Sequence, residues 1–81
     1  MNSTYQVHYF GLLNERRGLA EESVTHAATT AAGLYATLNA EHRLGLATAD
    51  FRVAVNDEFV SWDHILNDGD RIAFLPPMSG G

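Results

Sequence analysis

Only one stretch of this chain carries a helical repeat, and strand-like alternation lies on both sides of it. Ala31, Leu34, Tyr35 and Leu38 fall at i, i+3, i+4 and i+7, which puts four apolar side chains on a single stripe. Thr29 and Thr30 can cap the start of this helix, and the region of Gly45 ends it, leaving residues 45 to 50 as loop. Gly33 weakens the helix by up to about 1 kcal/mol relative to alanine, so tertiary packing must hold it in place. One helix covers one face of one sheet. The rest of the chain must therefore supply a sheet with a single buried face.

The remaining segments fit that requirement. Tyr5, Val7 and Tyr9 alternate with Gln6 and His8, and Phe10 follows before Gly11, which reads as a first strand. Leu12 and Leu13 lead into the polar connection Asn14-Glu15-Arg16-Arg17-Gly18, with room for a helical turn. Residues 19 to 26 alternate weakly through Ala20, Val24 and His26 and give a second strand. After the helix, Phe51, Val53 and Val55 alternate with Arg52, Ala54 and Asn56; Asn56-Asp57 is turn chemistry, and Phe59-Val60 is a short strand. Asp68-Gly69 marks another turn, which launches Arg71 to Leu75 with Ile72 and Phe74 on one face. Pro76-Pro77 stops that last strand, because proline has no N–H for a ladder. The order is β-β-α-β-β-β, an α+β domain over residues 1–75 with a mixed sheet and one main helix, followed by a flexible, extended C-terminal tail at 76–81.

Composition excludes several function classes. The chain has 81 residues and no cysteine, which removes disulfides, thiolate nucleophiles, iron–sulfur ligation and most zinc sites. His8, His26, His42 and His64 share no ligand spacing with one another or with a carboxylate, so no metal site is expected. Ten acidic against five basic residues give a formal charge of −5, the wrong sign for displacing counterions from nucleic acid. No apolar run reaches the length of a membrane span and no signal-peptide pattern opens the chain, so a soluble cytoplasmic protein is expected. All five basic residues are arginines. An activated C-terminus would meet no lysine amine or cysteine thiol in its own chain.

The tail carries the chemistry. A proline pair enforces an extended backbone and restricts the residue before it, so Pro76-Pro77 should send the chain away from the domain in one direction. Met78 adds an adaptable apolar contact and Ser79 a small polar spacer. Gly80-Gly81 lacks side chains and can thread a channel too narrow for other residues, bringing the terminal carboxylate to a reactive centre. A carboxylate is a poor electrophile until it is activated. Adenylation by ATP followed by attack of a persulfide would leave a thiocarboxylate, an anionic soft nucleophile made without cysteine. The chain has no phosphate-binding loop, so the activating machinery must belong to a partner. Against this stands the plainer reading, in which termini often end in glycine with no chemical role.

The segments Val55-Asn56, Val60-Ser61-Trp62-Asp63-His64, Asp68-Gly69-Asp70, Ala73-Phe74 and Pro76 through Gly81 resemble the small subunit of molybdopterin synthase, the MoaD family. The likeness covers essentially the whole chain and is densest after residue 53. It implies a β-grasp, ubiquitin-like fold. It also implies that Gly81 is adenylated by a MoeB-like enzyme akin to ubiquitin-activating enzymes. That enzyme, not this chain, would use ATP, and this chain would bind no cofactor. Gly81 would then receive sulfur from a persulfide protein as a thiocarboxylate. The tail would enter a MoaE-like large subunit and give its sulfur to cyclic pyranopterin monophosphate, usually in an assembly of two large and two small subunits. By position, Gly81 is the sulfur-bearing residue, Gly80 its slender neck, and Phe74, Leu75, Pro76, Pro77, Met78 and Ser79 the partner-binding stretch. Some relatives carry a second aromatic where this chain has Leu75, which leaves a smaller apolar anchor.

Other readings stay open. A carrier for the thiazole of thiamine, a ubiquitin-like modifier of lysines, and a protein-docking module with an idle tail share much of this pattern. Thiazole carriers tend to lack the Pro-Pro segment, and no basic residue precedes Gly-Gly here, as a modifier would suggest. Trp62 and Phe59 read as core or patch residues. His64 beside Asp63 lacks a nucleophile to serve, and Asp68 and Asp70 read as turn formers before metal ligands. No nucleophile, base and oxyanion constellation points to an independent enzyme.

Overall fold

The computed structural model describes residues 2–75. Five strands form one sheet in the order β2-β1-β5-β3-β4. They are β1 (Ser3–Tyr9), β2 (Glu21–His26), β3 (Arg52–Val55), β4 (Glu58–Val60) and β5 (Arg71–Leu75). The helices α1 (Leu12–Arg17) and α2 (Ala31–His42) precede a single 3₁₀ turn at Thr48–Asp50. The β1–β2 and β3–β4 pairs are antiparallel, β5 runs antiparallel to β3, and β5 runs parallel to β1. The mixed sheet and the strand order therefore agree with the expected α+β architecture. The polar connection after β1 holds a six-residue helix, longer than a single turn, which Gly18 closes in the left-handed conformation at φ 84°.

The stripe on α2 packs as its spacing requires: Ala31, Leu34, Tyr35 and Leu38 are all buried. Thr30 is the residue that caps it, its hydroxyl accepting from the Gly33 N–H at 3.0 Å. A Cβ at Gly33 would lie 3.1 Å from that same hydroxyl oxygen, so the weak helix former is kept where the cap needs room. The helix stops at Arg43, left-handed at φ 53°, before Gly45 is reached. In the β3–β4 hairpin Asn56 and Asp57 take φ 51° and 72°, the paired positive φ values of a type I′ turn.

The core lies between α2 and the facing side of the sheet. Tyr5, Val7 and Tyr9 of β1, Val53 and Val55 of β3, and Ile72 and Phe74 of β5 are all buried there. Four aromatics meet at its centre. The Tyr35 ring packs edge-on against Phe51 and Phe74, with centroids 4.8 and 5.4 Å away, and Trp62 stacks on Phe74 at 6.1 Å. Among the described residues, no helix is long and apolar enough to cross a membrane.

Candidate functional site: the root of the C-terminal segment

The Gly-Gly terminus and the stretch from Pro76 to Ser79 lie outside the described residues. The described part of the site is the strand from which that stretch departs. β5 occupies the middle of the sheet, between β1 and β3, so its backbone is paired along both edges. Leu75, its last residue, is half-buried and sits opposite Arg52 in the register with β3.

The start of β5 is fixed by a polar network built from the turn residues. Asp70 is buried, and its carboxylate accepts from the Asn67 N–H at 2.8 Å and from the Asn56 side-chain amide at 3.0 Å. The Asn56 side-chain oxygen in turn accepts from the Arg71 N–H at 3.0 Å. Asp68 accepts from the Thr4 N–H at 2.7 Å, and the Gly69 N–H donates to the Thr4 carbonyl at 2.8 Å. The left-handed Gly69 (φ 88°) and these carboxylates tie the loop before β5 to β1 and to the β3–β4 turn. Both aspartates act as turn formers, as their sequence context suggested. Among the described residues no three His, Asp or Glu side chains converge as metal ligands.

Phe74 corrects the sequence reading. It was expected to bind a partner, yet it is 0% exposed and wedged against Tyr35, Phe51 and Trp62. Strand alternation explains this: Ile72 and Phe74 point to the helix, so Arg71, Ala73 and Leu75 take the open face. His64 and Asp63 do not form a pair either. The Asp63 carboxylate accepts from the Ser61 hydroxyl, and the His64 carbonyl accepts from the Ala31 N–H at 3.1 Å.

The open face of the sheet divides into two halves. Over β2 and β1, cross-strand polar pairs satisfy one another: Thr4 with Thr25 at 2.9 Å, Gln6 with Ser23 at 2.8 Å, and His8 with Glu21 at 3.2 Å. Over β5, β3 and β4, Ala73, Ala54, Leu75 and the 58% exposed Phe59 make an apolar patch between Arg71 and Arg52. Phe10, just past β1, is 44% exposed and helps line a shallow hollow with His8, Asp57, Arg71 and Ala73. The guanidinium of Arg52 lies over the Phe59 ring, 5.1 Å from its centroid. Sequence reasoning did not single out Arg52 or Phe10. The alternation sets Arg52 on the outer face, but its place beside Leu75 comes from the β3–β5 register.

A second polar cluster closes the far side of the core. The Tyr9 hydroxyl donates to Glu22 at 2.7 Å, and Arg17 grips the same carboxylate with two bonds of 2.9 and 2.8 Å. These bonds, led by Arg17, hold the Glu22 carboxyl below the usual carboxylate range. Burial, reinforced by Glu22, pushes the Tyr9 phenol well above its ordinary value. Tyr9 is the register partner of Phe74, so this cluster anchors the strand beside β5 from the core side, away from the open face that carries Leu75.

Residues 7–81 match the ThiS family, which is nearly the full length and includes the terminal glycines. The chain belongs to the ThiS family. It is 50% identical over 38 residues to the molybdopterin synthase sulfur carrier subunit of Escherichia coli K12. That stretch is 47% of each protein, so the match spans about half the length of this relative. Among solved structures, the putative molybdopterin converting factor subunit 1 of Pyrococcus furiosus superposes with a TM-score of 0.78 at 27% identity, covering 94% of this chain and 99% of that one. A complex of subunits 1 and 2 of molybdopterin-converting factor from Helicobacter pylori contains a chain that superposes with a TM-score of 0.65 at 29% identity, covering 96% and 99%. The fold of this ThiS-family domain is therefore the ubiquitin-like β-grasp, and the resemblance drawn from its motifs is borne out.

Proposed function

We propose that this ThiS-family protein is the sulfur-carrier subunit of a molybdopterin synthase, with Gly81 as the group that bears the sulfur. The observation that carries the reading is the family match through Gly81, joined to a central strand that ends at Leu75 just before Pro76-Pro77. A strand paired on both sides makes a rigid root. The six residues beyond it have a contour of at most about 20 Å. That length is enough to carry a carboxylate into another protein's active site while the domain stays outside.

The chemistry then runs in two stages. The Gly81 carboxylate attacks the α-phosphate of ATP in an activating enzyme, releasing pyrophosphate and forming an acyl-adenylate. A persulfide sulfur attacks the acyl carbon, AMP leaves, and a thiol cleaves the S–S bond to free the thiocarboxylate. The sulfur nucleophile is supplied from outside, in keeping with a chain that has no cysteine. In the synthase, the tail of this chain would sit in a large subunit like the subunit 2 of the Helicobacter pylori complex and donate its sulfur to a pterin precursor. With Phe74 fully buried in the core, the docking stretch in this reading is Leu75 and residues 76–79.

Intact-mass measurement tests this directly. The chain is incubated with a MoeB-like activating enzyme, ATP and a persulfide donor. The expected result is exchange of one oxygen for sulfur at the terminus, absent when Gly81 is deleted. An unchanged mass, under conditions that convert the Escherichia coli carrier, would reject the carrier reading. Transfer to a lysine of another protein would instead identify a modifier.

A further inference from the structure

The open face of the sheet carries three groups able to hold positive charge, and two of them are already answered within the chain. His8 lies 3.2 Å from Glu21, and Arg71 lies 2.5 Å from Asp57. The third, Arg52, is exposed and has no carboxylate within ion-pair distance among the described residues. Elsewhere Arg17 is held by Glu22, and Arg16 donates to the Leu44 carbonyl at 2.8 Å. Arg43, at the end of α2, likewise meets no carboxylate among the described residues, but of the groups on the open face of the sheet Arg52 alone is left without an acid.

Its placement gives that vacancy a direction. Arg52 is the register partner of Leu75, so its side chain stands level with the last residue of β5. Its guanidinium is laid on the Phe59 ring, which braces the group by one face and leaves the N–H edges for another acceptor. A planar fork of donors matches a carboxylate in two-point geometry. Around it the face is apolar, through Ala54, Ala73, Leu75 and Phe59, so a seated partner would exclude water and strengthen the pairing.

We infer that Arg52, braced on Phe59 beside Leu75, receives an aspartate or glutamate from the protein that takes up the tail. The inference rests on the carrier reading, since it assumes a partner seated at the tail's root. A phosphate fits less well. The other arginine of this face, Arg71, is neutralised by Asp57, and one guanidinium without a second cation or a helix N-terminus is a poor phosphate cradle. The contact acts on partner choice. A chain of net charge −5 repels acidic surfaces in general, and Arg52 reverses the sign at one point that a correct partner must match.

The test is calorimetric titration of the full chain with subunit 2 of molybdopterin-converting factor from the same organism, at low and high salt. Arg52→Met keeps the apolar stem and removes the charge, Arg52→Lys keeps the charge without the fork, and Arg52→Glu reverses it. Loss of a charge-assisted pair predicts about tenfold weaker binding for Arg52→Met, more for Arg52→Glu, and partial recovery for Arg52→Lys. The gap between Arg52→Met and the natural chain should narrow as salt rises, while all four proteins melt together. Equal affinity and equal salt dependence for Arg52→Met and the natural chain would overturn the inference and leave the carrier reading standing. Failure of the natural chain to bind subunit 2 at all would reject that reading, and the inference with it.

Discussion

The two faces of β5 do opposite things with neighbouring residues. Ile72 and Phe74 face α2 and are completely buried, Phe74 with its ring edge-on to Tyr35 and Phe51 and stacked on Trp62. Arg71, Ala73 and Leu75 face outward, over a surface that α2 leaves uncovered. One face makes the strand immovable, and the other leaves its end approachable. A carrier needs both, because an arm is useful only if its root is fixed and its surroundings can be gripped. The contrast also warns against reading function from adjacency: Phe74 and Leu75 are neighbours in sequence, and only Leu75 is on the side that a partner can reach.

The largest effect should come from breaking the buried face. Phe74→Ala removes a fully buried ring from the aromatic cluster and is expected to cost about 3–5 kcal/mol in urea unfolding. For a domain this small that approaches the whole stability margin. Leu75→Ala, one residue on, should cost less than about 1.5 kcal/mol, since the side chain is half-buried, yet weaken binding to subunit 2. Equal destabilisation by the two substitutions would erase the distinction between the faces.

Next in size is the network that starts the strand. Asp70→Ala leaves the Asn67 N–H and the Asn56 amide without an acceptor and should cost about 1–3 kcal/mol. Asp68→Ala, more exposed and accepting a single bond from Thr4, should cost about 1 kcal/mol. Hydrogen exchange at Arg71 and Ile72 should rise in Asp70→Ala more than in Asp68→Ala, because only Asp70 holds the Asn56 side chain that receives the Arg71 N–H.

How much of this was legible in the sequence follows the same division. The stripe on α2, the alternation in β1, β3 and β5, and the turns at Asn56-Asp57 and Asp68-Gly69 are local patterns, and each appears where its pattern put it. The short helix Leu12–Arg17 was legible only as a turn, since six residues give too little periodicity to count. Phe74 was misassigned because a motif was carried over as a block, where the period of two already separated it from Leu75. Arg52 was missed for another reason. Its meaning depends on pairing with Leu75 and on Phe59 across the hairpin, and sheet register is not written in any one segment.

The smallest predicted effect contrasts two adjacent carboxylates that β2 turns to opposite faces. Glu21 is exposed and meets His8 on the open side, whereas Glu22 is held by Arg17 and the Tyr9 hydroxyl on the other. Glu21→Gln should leave stability within about 0.5 kcal/mol of the natural chain, while Glu22→Gln should cost about 1 kcal/mol at neutral pH. The pH dependence separates them further. Because Arg17 and the Tyr9 hydroxyl depress the Glu22 carboxyl in the folded chain, its contribution is complete above the ordinary carboxylate range and is lost as pH falls through the folded value. The unfolding curves of Glu22→Gln and the natural chain should therefore converge in acid. At the alkaline end the sign is the reverse for Tyr9. Its raised phenol favours the neutral form, so that stability is present below the ordinary tyrosine value near 10 and declines as pH rises beyond it. Tyr9→Phe should lessen that alkaline decline, leaving the part due to Tyr35, whose phenol burial also raises, while losing the bond to Glu22 at every pH where Glu22 is ionised. A natural chain whose stability stays level through both limits would show that the cluster is too well solvated to tie β1, β2 and α1 together, and that the tail's platform depends on the aromatic core alone.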